Sequence, residues 1–114
     1  MAHPVVHFEI MGGDGSQLHE FYGRLFDWPI DANNEWNYGM VPAPDGEGVG
    51  GGVGPSFDGT SRVTVYVQVP DLRAALDQAT ALGGTTVMEP GDVGGVSIAQ
   101  FADPAGNVIG LIKG

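Results

Sequence analysis

Phe101-Ala102-Asp103-Pro104-Ala105-Gly106-Asn107-Val108-Ile109-Gly110-Leu111-Ile112 reads as two strands folded back through a tight turn. Pro104 suits the second position of a turn because its ring fixes φ, and Gly106 and Asn107 tolerate the positive φ that closes such turns. Asp103 has the short carboxylate that hydrogen-bonds the backbone two residues on. Apolar runs flank the turn on both sides, Val96 to Phe101 and Val108 to Ile112, which is the pattern of a hairpin.

Working back from that hairpin, Arg62 to Val69 alternates cleanly. Val63, Val65, Val67 and Val69 face one way and are expected to be core, while Thr64, Tyr66 and Gln68 face the other. Pro70 ends the strand. Asp71 caps a helix through Leu82, with Leu72, Ala75, Leu76 and Ala79 as its apolar stripe, and Gly83-Gly84 stops it. Thr85 to Met88 reads as a short strand and Pro90 to Gly95 as a loop.

The first half follows the same order. Val5 to Met11 is a strand, with His7 and Glu9 on one face and Phe8 and Ile10 on the other. Ser16 is the expected cap of a helix carrying Leu18, Tyr22, Leu25 and Phe26 on one stripe, with Phe21 at its edge; Trp28-Pro29 ends it. Glu35 to Val41 is expected as a strand with Trp36, Tyr38 and Met40 on one face. Gly48 to Pro55 is read as a glycine-rich strand approached closely by another element or a ligand, rather than as a linker. Asp14 and Asp71, both at strand ends, stand 57 residues apart. The chain is therefore an internal duplication of a βαβββ unit, module 1 about 1–56 and module 2 about 62–114, in a single domain of residues 1–114. The class is α+β: a curved mixed sheet around a cleft, with helices on the outer face.

Composition narrows the function classes. The formal net charge of −10 on 114 residues argues against nucleic acid and anionic membranes and suits solubility or a cationic partner. The absence of cysteine removes disulfides and thiolate chemistry. No apolar run approaches the length of a membrane span. Met1 to Val5 lacks the basic and apolar regions of a signal peptide, so the cytoplasm is expected.

The closing hairpin closely resembles that of the vicinal oxygen chelate superfamily, which includes glyoxalase I, extradiol dioxygenases, fosfomycin-resistance enzymes and bleomycin-binding proteins. Pro4 to Ile10, Phe21 to Trp28, Tyr66 to Leu72 and Ala81 to Gly84 also resemble its small single-domain members. The resemblance implies a homodimer. It also implies that, in metal-using relatives, each module gives one ligand from its first strand and one Glu from its last. Mapped here, the first-strand positions are His7 and Thr64, and the last-strand positions are Gly110 and, by the same offset, Val53. His7 is the only matching ligand, so no metal is expected; a divalent ion remains the alternative cofactor.

His7 and Glu9 lie two residues apart on one strand face, their bases about 6–7 Å apart. With Thr64, Tyr66, Gln68 and Gln100 they are expected to line the cleft. One reading makes them a metal-free acid/base pair; the other makes them polar lining on a shared scaffold. Trp36 and Tyr38, with Met40, form either an aromatic wall for a flat ligand or a core or dimer contact. Phe21, Tyr22, Phe26 and Trp28 read as core, and His19 as a solvated helix residue. Three functions are open. The first is a metal-free binder of a small organic molecule, similar to the antibiotic-sequestering branch. The second is a lyase, isomerase or dioxygenase relative using His7 and Glu9. The third is an interaction module with a vestigial cleft.

Overall fold

The computed structural model describes residues 2–114. Two α-helices and seven strands of mixed direction make an α+β chain. In order these are β1 Val5–Gly12, α1 Gly15–Phe26, β2 Gly39–Val41, β3 Gly51–Pro55, β4 Arg62–Val69, α2 Leu72–Ala81, β5 Thr85–Val93, β6 Val96–Ala102 and β7 Val108–Lys113. The chain divides into two compact units, His7–Val63 and Thr64–Gly114, the latter joined by the start of the chain through Val6.

In the first unit the strand order is β2-β3-β1, with β1 and β3 parallel and β2 antiparallel to β3. The glycine-rich stretch is thus a strand, but over Gly51–Pro55 only: Val53 lies in it fully buried, and Val49 stays outside it and exposed. Helix α1 covers the face that carries Phe8, Ile10 and Gly12; a Cβ at Gly12 would stand 3.1 Å from Leu18. The opposite face, with His7 and Glu9, has no helix of its own unit on it.

Three expectations for this half are corrected. The N-cap of α1 is Asp14, whose carboxylate accepts from the Gln17 backbone N–H at 3.0 Å. Ser16 instead accepts from the Asn37 amide at 3.2 Å. The strand expected over Glu35 to Val41 shrinks to Gly39–Val41. Asn34 captures the segment before it: its Oδ1 accepts from Trp36 N at 3.2 Å and Tyr38 N at 3.0 Å, and its Nδ2 donates to Tyr38 O at 2.7 Å. An Asn side chain offering the backbone its own partners competes with strand pairing. Third, the aromatic stripe is not core. Phe21, Leu25 and Phe26 are each over half exposed. Tyr22, Phe26 and Trp28 instead pack ring to ring, with centroids 5.1–6.2 Å apart, and Phe8 meets Trp28 at 5.4 Å.

In the second unit the order is β4-β7-β6-β5, with β4 and β7 parallel and the rest antiparallel. Asp71 caps α2 as expected, accepting from Ala74 N at 3.0 Å. Leu72 and Leu76 pack with Val69, Ala99 and Leu111 into the core of this unit, with Val67, Ala75 and Phe101 beside them. The valine face of β4 is core only at its end: Val63 is 72 % exposed. A ten-residue helix is about 15 Å long, which spans four or five strand residues at about 3.3 Å each. Running back from Asp71, α2 reaches Val67 but not Val63. Strand β5 runs on through Pro90 to Val93, and only Gly94-Gly95, both at positive φ, turn. As the last strand of its unit, β5 loses no ladder bond to the missing Pro90 N–H.

The closing turn forms as read. Asp103 Oδ1 accepts from Ala105 N and Asn107 N, both at 2.9 Å, and Oδ2 from the Asn107 amide at 2.9 Å. Gly106 alone takes the positive φ, at 95°.

Candidate functional site

On the helix-free face of the first unit, Glu9 and Gly52 stand side by side in the β1–β3 register. Glycine at 52 leaves the strand surface bare, and the Tyr38 ring lies on it: a Cβ there would fall well inside 3.0 Å of Tyr38 ring and hydroxyl atoms. Seated so, Tyr38 Oη donates to Glu9 Oε2 at 3.0 Å and meets His7 Nε2 at 2.8 Å. His7 and Tyr38 rings lie 14° from parallel. Glu9 is only 8 % exposed. Burial pushes the His7 imidazole below its ordinary value of 6.5, because desolvation disfavours the charged ring. At neutral pH the cluster therefore holds an uncharged base, a phenol and a buried carboxyl group.

The second unit repeats the device. Tyr66, Gly110 and Gln100 form one row across β4, β7 and β6. Gly110 carries no side chain, so the Tyr66 ring lies over it. Its hydroxyl accepts from Gln100 Nε2 at 3.0 Å, two strand spacings away. Both partners are buried.

The structure thus brings His7, Glu9 and Tyr38 together within the first unit, and Tyr66 and Gln100 within the second. Thr64 sits on the same face as Tyr66, 3 % exposed, and among the described residues its hydroxyl has no hydrogen-bond partner. Gln68 lies against the chain end at Gly114. Trp36 stands in the Asn34 turn, so the strand parity that paired it with Tyr38 does not hold. The last-strand position of the first half is Gly52 rather than Val53. Val53 pairs with Ile10 on the helix face and is fully buried, whereas Gly52 pairs with Glu9 as Gly110 pairs with Tyr66. One residue of slip moves a side chain to the other face. The sequence reading also missed His19. It is half-buried, and its Nε2 donates to Val53 O at 2.5 Å, tying α1 to β3. Its neighbour on the helix, Leu18, belongs to the apolar stripe, and nothing in that periodicity signals the bond.

A family model described as a glyoxalase-like domain matches residues 9–112. The chain belongs to the glyoxalase-like domain family. This glyoxalase-like domain is also 35% identical over 79 residues to CFP32 of Mycobacterium bovis, a protein designated a glyoxylase; the match covers 68% of this chain and 30% of that protein. The chain therefore spans under a third of the length of the curated relatives that it matches. Among solved structures, methylmalonyl-CoA epimerase of Mycobacterium tuberculosis matches with a TM-score of 0.67 at 16% identity, covering 96% of this chain and 86% of that one. The Streptomyces coelicolor epimerase bound to 2-nitronate-propionyl-CoA matches with 0.65 at 16%, covering 96% and 93%. A protein described as NAD-dependent benzaldehyde dehydrogenase of Legionella pneumophila matches with 0.70 at 12%, covering 94% and 96%. At these identities the likeness is one of fold; the glyoxalase-like family model bears out the resemblance read from the closing hairpin. No helix among the described residues is long and apolar enough to cross a membrane.

Proposed function

We propose that this glyoxalase-like domain binds a small organic molecule without a divalent metal, with His7, Tyr38 and Glu9 as the polar anchor. The observation that carries the reading is the Tyr38 hydroxyl, bonded at once to His7 Nε2 at 2.8 Å and Glu9 Oε2 at 3.0 Å. A metal does not fit the residues present. A divalent ion needs three or four protein donors. Of the superfamily's ligand positions, His7 supplies a nitrogen, Thr64 a neutral hydroxyl, and Gly52 and Gly110 nothing. At both glycines a tyrosine ring fills the space that a carboxylate side chain needs. Among the described residues no group of three or more His, Cys, Asp or Glu is clustered for a metal.

The ligand class that suits this chemistry is an aromatic or apolar amine. The chain carries a net charge of −10, and a neutral imidazole beside a carboxyl group offers acceptors. This is the ligand type of the antibiotic-sequestering branch, and an acidic chain without cysteine suits a cytoplasmic setting. A thermal-shift series of aromatic amines and the matching aromatic carboxylates tests it, since a ligand that binds only the folded state raises Tm. The amines are expected to raise Tm, and Tyr38→Phe to remove the rise. An equal response to carboxylates, or undiminished binding in Tyr38→Phe, contradicts the reading.

A second reading is favoured by the depressed His7 imidazole: an enzyme in which His7 takes a proton from a bound substrate. Loss of turnover in His7→Ala with the fold intact supports it, and unchanged turnover ends it. We place either function in a homodimer. The exposed Phe21, Leu25 and Phe26 face of α1 supports that assembly, and sedimentation equilibrium giving a monomer at micromolar concentration contradicts it.

A further inference from the structure

We propose that the groove between the C-terminal half of α2 and the strands beneath it is a binding site for a straight-chain aliphatic amine, its ammonium held at the Asp103 carboxylate. The groove has a volume of about 320 Å³, at the lower end of the range of small-molecule pockets. It lies wholly within the second unit and opens from that unit's core. Leu72 and Leu76 fill the space under the start of α2. Ala75 and Ala79, four apart on the same helix, are too small to do so and leave a gap above Val67, Phe101 and Leu111. Leu82, 73 % exposed, stands at the rim. The lining is almost wholly apolar, and its small aliphatic walls suit an alkyl chain, which leaves water on entering.

The charge at the rim selects the head group. Asp103 borders the groove. Its carboxyl is held below the usual 3.8, first by the Asn107 side chain and then by backbone N–H groups, so it is ionised at neutral pH. Three neutral N–H groups bond it, two at Oδ1 and one at Oδ2. A carboxylate offers about four acceptor places, so Oδ2 keeps room for another donor. Among the described residues no cationic side chain pairs with it. The last turn of α2 borders the same groove and carries no basic residue, although the negative end of a helix dipole favours a cation. The unit's Arg and Lys stand elsewhere: Arg73 pairs with Asp77 and Glu89, and Lys113 shares a hollow with it at the start of α2. An ammonium brings three donors and a positive charge to this rim, whereas a carboxylate or phosphate meets like charge.

The site does not rest on the His7, Tyr38 and Glu9 reading. Protein labelled at its Ala, Val and Leu methyl groups is titrated with n-hexylamine, 1-hexanol and hexanoate, each followed by 1H–13C correlation spectra. His3 lines the same groove, so the titration is run at pH 8, where an alkylamine is charged and an imidazole is not. Hexylamine is expected to shift the Val67, Ala75, Ala79 and Leu82 methyl signals to saturation. Hexanol is expected to reach the same methyls about three- to fivefold more weakly, the weight of one exposed ion pair, and hexanoate more weakly still. Ala79→Leu fills the groove and is expected to abolish the saturable shifts. Asp103→Asn is expected to bring hexylamine down to the affinity of hexanol and to leave hexanol unchanged. Hexanol or hexanoate binding as tightly as hexylamine overturns the proposal, as does undiminished binding in Ala79→Leu or the absence of saturation with hexylamine. If Asp103→Asn does not fold, the wild-type comparison of hexylamine with hexanol decides the matter. The methyls read all belong to the second unit, so a failed aromatic-amine series leaves this site standing, and unmoved methyls leave that series standing.

Discussion

Replacing Gly110 by alanine adds one methyl group beneath the Tyr66 ring. Three ring atoms of Tyr66 lie inside 3.0 Å of a Cβ at that position, whereas carbon pairs settle at about 3.5–4.0 Å. The ring must therefore withdraw by about 1 Å. Overpacking of this kind costs about 1–3 kcal/mol. The movement also breaks the 3.0 Å bond from Gln100 Nε2 to Tyr66 Oη. With Gln100 6 % exposed, an amide left unpaired there costs about 1–3 kcal/mol more. Against this, removing a glycine from the unfolded chain stabilises by about 0.4–1 kcal/mol. The net expectation is a loss of about 3 kcal/mol, or roughly 10 °C in Tm, read by urea and thermal unfolding. In a Tyr66→Ala background the same substitution meets no ring, and its cost is expected to fall near zero. A Gly110→Ala protein as stable as the parent, or an equal loss in both backgrounds, refutes the idea that glycine is there to seat the tyrosine.

Three further outcomes are expected. Asp71→Ala removes the α2 N-cap that accepts from Ala74 N and should lower stability by about 1 kcal/mol in chemical denaturation. Because burial depresses the His7 pKa, the unfolded chain binds the extra proton first. Stability is therefore expected to fall as pH drops from 6.5 toward the lowered native value, and His7→Gln should flatten that window. Asp103 is held below the usual carboxylate value of 3.8, first by the Asn107 side chain and then by backbone N–H groups. Its contribution is present above 3.8 and is lost as pH falls through the native value, so Asp103→Ala should lower Tm at neutral pH and shorten the acid limb of the stability curve.

The sequence disclosed the elements whose signals are local. The Asp103 turn, the Asp71 cap and the alternation of β4 are each written in a few adjacent residues, and each formed. What it disclosed poorly depends on partners far along the chain. Val63 and Val67 are equivalent by alternation, but the reach of α2 leaves Val63 exposed and Val67 half-buried against the core. Trp36, Tyr38 and Met40 alternate like a strand, yet Asn34 holds Trp36 and Tyr38 in a turn, and that turn swings the phenol onto Gly52. His7 and Glu9 were legible as a pair on one strand face. The residue that joins them reads from the sequence equally as an aromatic wall, a core residue or a dimer contact, because nothing local tells a tyrosine over glycine from a tyrosine in a core. The choice between Val53 and Gly52 turned on one residue of strand register, which an offset of 57 between the two aspartates cannot fix when the last strands are offset by 58.

The claim on which the functional account rests is that two tyrosines seated on glycines stand where a metal site has its carboxylates. The most direct measurement is the metal content of the purified protein by mass spectrometry, before and after soaking with manganese, iron, nickel and zinc and desalting. The account expects well under a tenth of an equivalent of any of them to survive on the protein. Close to one equivalent retained, and lost in His7→Ala, contradicts it and moves metal-assisted chemistry to the front.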